Sequence, residues 1–201
     1  SPFGGIEQIE WSSNNKAIAY TSKKLLGKAA TLSTNSDVYL YDLETKKTKN
    51  ISKGIMGFDV GPVFSPDGKY VAWESMERDG YESDQNRMFL MDLETGERTY
   101  ATKGFDQNAG SFSWTADSKS IYFTSDWHGA FQIYRYDVKK GGITQVTEGL
   151  HDYRGVTVAG KQLVATKQTM AMPTELFLVN PKNGEAQQMT FTNKNLLDQL
   201  S

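Results

Sequence analysis

Residues 64–75 read FSPDGKYVAWES. Two apolar runs, Val63-Phe64 and Tyr70-Val71-Ala72-Trp73, flank the turn residues Pro66-Asp67-Gly68. That is the pattern of a tight hairpin in which glycine takes positive φ. The stretch recurs. Residues 9–22 (IEWSSNNKAIAYTS) and 112–125 (FSWTADSKSIYFTS) again place an aromatic, a turn and a lysine before a strand ending near serine. The lysines are Lys16, Lys69 and Lys119, and a weaker fourth copy from Val156, VTVAGKQLVATKQ, carries Lys161.

A second segment follows each first one: VYLYDLET, MFLMDLETG, IYRYDVKKG and LFLVNPKNG. Their turn residues Asp42, Asp92, Asp137 and Asn180 are separated by 50, 45 and 43 residues. A third segment closes each unit: TKNISKG, RTYATKG, ITQVTEG and AQQMTFTN. Four strands recurring at this period predict the blades of an all-β propeller, here about 9–54, 61–104, 111–149 and 155–192 within a propeller range of 1–192. Strands such as Val-Tyr-Leu-Tyr are apolar on both faces, as a sheet between two neighbouring blades must be. An open stack of four blades leaves unpaired edges. The expectation is therefore a piece of a larger propeller, seven- or eight-bladed, and association of two copies through the open edges.

Composition narrows the function classes. The 201 residues carry a formal net charge of −2, 38% apolar and 12% aromatic residues, which argues against disorder. Scattered lysines and near-zero charge argue against a nucleic-acid partner. Lys23-Lys24, Lys46-Lys47 and Lys139-Lys140 read as solvated turn residues. No apolar run reaches the roughly 20 residues of a membrane span, and SPFGGIEQ does not read as a signal peptide. Cysteine is absent, which excludes disulfides and thiol catalysis. The histidines, His128 and His151, lack zinc-site spacing, and no calcium loop is present, so neither a metal nor another cofactor is expected. His151-Asp152 is adjacent in sequence only, which does not build a catalytic triad. Asp42, Asp67, Asp92 and Asp137 read as carboxylates that bond their own turns. Asn50-Ile51-Ser52 fits a glycosylation sequon but reads as part of a fourth strand.

The motif FSPDGKYVAW resembles the propeller repeat shared by TolB-type translocation proteins and prolyl-oligopeptidase-family serine peptidases. Three further stretches resemble the dipeptidyl-peptidase and acylaminoacyl-peptidase branch, in its bacterial form: ESMERDGYESDQNRMFLMDLETGE (74–97), GFDQNAGSFSW (104–114) and the tail MTFTNKNLLDQLS (189–201). The resemblance implies that 193–201 is an exit linker toward a separate α/β-hydrolase domain. That domain would hold the Gly-x-Ser-x-Gly nucleophile elbow, which does not occur in this chain. The chain itself then has no catalytic residue. The resemblance further implies that it gates access to the active site and helps position peptide substrates, in a periplasmic or secreted setting. The alternative is a TolB-like propeller that acts only as a protein-binding scaffold; a glycosidase propeller has no motif in its favour.

In an up-and-down blade the connections between second and third strands all emerge on one face. Here they read 23–36, 75–86, 125–130 and 168–174, and the first two exceed what a hairpin needs, which marks candidate functional loops. Arg78, Asp79, Tyr81 and Glu82 cluster in the second. These are the candidate substrate- or interface-facing residues, because a carboxylate beside a peptide's amino terminus supplies a charge-assisted hydrogen bond.

Overall fold

The computed structural model describes residues 8–199. Residues 1–7 of the propeller range and 200–201 of the exit segment lie outside the described residues. The chain divides into two compact units, the first ending at Gly110 and the second starting at Ser111.

Each unit holds two four-stranded antiparallel sheets, with strands in chain order across each sheet. The first unit contains β1 (Ile9–Trp11), β2 (Ala17–Ser22), β3 (Asp37–Asp42) and β4 (Thr48–Asn50), with a short helix α1 (Lys28–Leu32) between β2 and β3. Its second sheet is β5 (Asp59–Phe64), β6 (Tyr70–Ser75), β7 (Arg87–Asp92) and β8 (Arg98–Tyr100). The second unit contains β9 (Gly110–Trp114, all but its first residue), β10 (Ser120–Trp127), β11 (Ala130–Asp137) and β12 (Ile143–Gln145), then β13 (Asp152–Ala159), β14 (Gln162–Thr169), β15 (Met172–Val179) and β16 (Ala186–Gln188). A second short helix, α2 (Lys194–Leu197), follows. These are the four blades of an all-β propeller fold.

The hairpin of the opening motif owes its shape to side-chain bonding. Ser65 Oγ accepts the Tyr70 amide at 2.9 Å and donates to Asp67 Oδ1 at 2.7 Å. Ser12 with Asn14, and Thr115 with Asp117, repeat the arrangement at 2.8 Å each. Gly68 takes φ 71°, and the equivalent Asn15 and Ser118 hold φ 56° and 58° without being glycine. The Asp-Leu-Glu-Thr turns follow the same logic: Asp92 Oδ1 accepts the Glu94 and Thr95 amides at 2.9 Å each. Asp42 and Asp137 bond their turns alike.

Packing explains the strands that are apolar on both faces. Within the first unit, Ala19, Val38 and Ile51 pack with Phe64, Val71, Trp73 and Met91 of the next blade. Within the second, Tyr122 and Ile133 pack with Tyr153, Val156, Leu163, Ala165, Phe177 and Val179. Aromatic residues directly opposite on second and third strands stack: Tyr20 on Tyr39, Trp73 on Phe89 and Phe123 on Tyr134, with ring centroids 5.5, 5.8 and 5.7 Å apart. Such cross-strand pairs add to the area they bury.

The closing Ser or Thr of each unit has a mechanical role that pattern reading did not supply. The backbone N–H of Val38, Met88, Ile133 and Leu176 donates to Ser52 Oγ, Thr102 Oγ1, Thr147 Oγ1 and Thr190 Oγ1, at 3.0, 3.0, 2.9 and 2.9 Å. In each blade this hydroxyl takes over the ladder where the fourth strand stops.

Two expectations need correction. The second-to-third connections of the last two blades are not loops of 125–130 and 168–174. β10 runs to Trp127 and β11 begins at Ala130, so only His128-Gly129 turns; only Met170-Ala171 turns in the fourth blade. His128 and Gly129 both have positive φ, 48° and 80°, as a type I′ hairpin turn requires. Lys23 is also not a solvated turn residue, whereas Lys24 is exposed. Lys23 Nζ donates to the Ser33 carbonyl, and Lys24 Nζ lies 3.7 Å from the centre of the Tyr39 ring.

Candidate functional site

The two long insertions, 23–36 and 76–86, both belong to the first unit. β4 runs antiparallel to β3, with Asn50 opposite Tyr39, so the chain leaves β4 at the end where β3 begins. The insertions therefore stand at the end of the blade from which the fourth strand exits. In the second unit β16 leaves in the same sense, with Gln188 opposite Phe177.

Asp79 fastens one insertion to the other. Its Oδ1 accepts from Ser33 Oγ at 2.8 Å, the Thr34 amide at 2.7 Å and the Asn35 amide at 3.2 Å, while the Gly80 amide donates to Thr34 Oγ1 at 2.8 Å. These bonds, the Ser33 hydroxyl first, hold its carboxyl below the usual carboxylate range. Arg78 is engaged within its own insertion. Its guanidinium pairs with Asp84, its backbone amide donates to Asp84 Oδ2 at 2.8 Å, and it covers the Tyr81 ring at 4.1 Å. Tyr81 is half exposed. Glu82 differs from its neighbours: it makes no hydrogen bond or ion pair among the described residues, and it borders a cavity.

That cavity, of about 640 Å³, lies under the insertions and is lined by, among others, Thr21, Lys23, Phe58, Val60, Met76 and Glu82. The volume falls within the range of small-molecule sites. Its lining mixes apolar side chains such as Phe58, Val60 and Met76 with the hydroxyls of Thr21, Ser33 and Thr34, and Lys23 and Glu82 contribute one charge of each sign.

Between Phe58 and Val60 in the chain stands an unusual carboxylate. Asp59 is fully buried; its Oδ1 accepts from Trp73 Nε1 at 3.0 Å, and its backbone exchanges hydrogen bonds with Ser36 at the end of the first insertion. Burial pushes its pKa up to about 7, Asp37 adds to this, and the Ser75, Trp73 and Ser52 donors offset part of it.

The histidines serve other ends. Gln132 Nε2 donates to the Gly149 and His151 carbonyls at 3.0 and 2.9 Å, which ties down the joint between the third and fourth blades. Asp152 accepts from the Phe131 amide at 3.0 Å and from Arg154, not from His151. His151 packs edge-on against Tyr153, and burial lowers its pKa. Glu175 secures the exit: its carboxylate accepts from Thr190 Oγ1 and, at 3.4 Å, from the Asn193 amide.

The structure thus brings Glu82 to the cavity and commits Arg78 and Asp79 to holding the insertions in shape. Thr21, Lys23 and Phe58 were missed by sequence reasoning. Their only available signal was the length of the 23–36 connection.

Among protein families, the TolB beta propeller domain matches residues 8–199. The chain belongs to this family. A relative of this TolB-type propeller, dipeptidyl-peptidase 5 of Porphyromonas gingivalis, is 47% identical over 200 residues, which cover 100% of this chain and 29% of that protein. The chain therefore spans under a third of that relative's length. The solved structure of TolB from Acinetobacter baumannii is 27% identical with a TM-score of 0.63, covering 91% of this chain and 43% of that one. Uncomplexed acylaminoacyl peptidase from Pyrococcus horikoshii shares the fold, with a TM-score of 0.73 at 19% identity over 98% of this chain and 29% of that one. Among the described residues, no helix is long and apolar enough to cross a membrane.

Proposed function

We propose that this chain is the propeller portion of a serine peptidase of the prolyl-oligopeptidase family. It gates entry of peptides and helps position them at an α/β-hydrolase domain reached through the exit segment 193–201. The likeness to dipeptidyl-peptidase 5 over the whole chain supports a peptidase setting. The observation that carries the positioning role is Glu82, a carboxylate with no partner among the described residues, at the edge of the 640 Å³ cavity. A peptide's amino terminus there would form a charge-assisted hydrogen bond with it. Asp79 and Arg78 act as the frame that keeps the carboxylate in place. The setting is periplasmic or secreted, and two copies associate through open blade edges, which sedimentation at high concentration would read.

The experiment is Glu82→Gln in the longer protein, assayed on a dipeptide-releasing substrate with a free amine and on its acetylated counterpart. Losing one charge-assisted bond should lower kcat/KM for the free amine about tenfold, mainly through KM, and leave the acetylated substrate unchanged. Equal effects on both substrates would reject the assignment. The 27% identity to a TolB structure favours a second reading, a scaffold that only binds protein. A longer protein without hydrolase activity would decide for it.

A further inference from the structure

Thr21 stands in β2 opposite Val38 and is 8% exposed. Its Oγ1 is sealed from solvent and has no hydrogen-bonding partner among the described residues. A buried hydroxyl without a partner costs stability, since it loses water and gains nothing. The next blade satisfies the equivalent position: Glu74, opposite Met88, accepts from Asn86 Nδ2 at 2.9 Å. Thr21 borders the cavity, and rotation about χ1 offers its hydroxyl three staggered positions. Phe58, Val60 and Met76 line the same cavity, apolar side chains in a space that also has a hydrogen-bonding group. A peptide presents this pair of features, a main-chain amide next to an aliphatic side chain.

We propose that the cavity beneath the paired insertions is a subsite for an aliphatic peptide side chain, with Thr21 bonding the peptide main chain. The proposal rests on the reading of the chain as a peptide-positioning propeller. It adds two things to it: a side-chain preference and a ligand-binding role for Thr21. The Asp79 bonds to Ser33, Thr34 and Asn35 then maintain the cavity's roof.

The test is calorimetric titration of the full chain with Val-Ala amide, Gly-Ala amide and N-acetyl-Val-Ala amide. Val-Ala amide should bind at least fivefold more tightly than Gly-Ala amide. Thr21→Val removes the hydroxyl and keeps the shape, so its unfolding temperature should equal or exceed that of the parent, while its affinity for Val-Ala amide falls five- to tenfold. Thr21→Ser should retain the affinity. A purely structural threonine would lose stability and not affinity. Unchanged binding by Thr21→Val, equal affinity for the valine and glycine peptides, or no binding of either overturns the proposal. The acetylated probe separates it from the Glu82 reading. If acetylation has no effect while the valine preference and the Thr21→Val loss persist, the subsite stands and the amine anchor falls. If acetylation abolishes binding but valine and glycine bind alike, the reverse holds.

Discussion

Replacing Asp59 with asparagine should stabilise the chain at alkaline pH and do so less as the pH falls. Asp59 is wholly buried, and its carboxyl pKa is pushed from 3.8 to about 7. Between those values the native chain keeps its proton while the unfolded chain releases it. Stability is therefore fully present below about pH 4, declines as pH rises, and levels off above about pH 7. At 1.36 kcal/mol per pH unit the whole window corresponds to about 4 kcal/mol, and the part between pH 5 and pH 7 to about 3 kcal/mol. The asparagine side chain does not titrate and would still accept the Trp73 indole N–H, which Asp59 Oδ1 now accepts at 3.0 Å. The stability difference between variant and parent should therefore grow by about 3 kcal/mol in the variant's favour from pH 5 to pH 8. In a chain of this length that corresponds to about 6–12 °C in Tm. Urea denaturation of both proteins at pH 5, 6, 7 and 8, followed by tryptophan emission and circular dichroism, reads it directly. A difference that stays constant with pH would refute the argument, because a group that did not change protonation between the two states cannot produce the slope.

The ladder-capping hydroxyl gives a second prediction. Thr147 is 2% exposed, accepts from the Ile133 amide and donates to Gln132 Oε1 at 2.8 Å. Thr147→Val strands both partners and should cost about 2–4 kcal/mol, whereas Thr147→Ser should cost about 1 kcal/mol; equal losses in thermal unfolding would discard the role. Lys46 holds φ 59° where the equivalent turn of the next blade has Gly96 at φ 74°. Lys46→Gly should therefore raise stability by about 0.5–1 kcal/mol, and a lower melting temperature would contradict the turn assignment. Asp79→Ala should speed hydrogen exchange at the Thr34 and Asn35 amides, which now donate to its carboxylate. Unchanged protection there would mean that the insertions hold each other by other contacts.

The repeat made the blades legible from the sequence alone. Ser65-Pro66-Asp67-Gly68 and Asp92-Leu93-Glu94-Thr95-Gly96 carry their turn bonds within a few residues, so local chemistry decides them and pattern reading finds them. Strands apolar on both faces likewise declare that each sheet is covered twice, as Val71 and Trp73 are covered by Ala19 and Val38. The candidate insertions were visible by their length. Which side chain in them is available was not. Arg78, Asp79 and Glu82 are three charged residues within five positions, yet only the folded chain separates them: Arg78 meets Asp84, Asp79 meets residues 33–35 about 45 positions away, and Glu82 bonds to none among the described residues. The same holds for Thr21, whose buried hydroxyl has no partner among the described residues, and for Asp59, whose raised pKa comes from burial beside Trp73. Hydrogen bonds across one turn are set by sequence spacing. Burial, and contacts between segments far apart in the chain, exist only once the blades have packed, and these are what distinguish a frame residue from one free to meet a ligand.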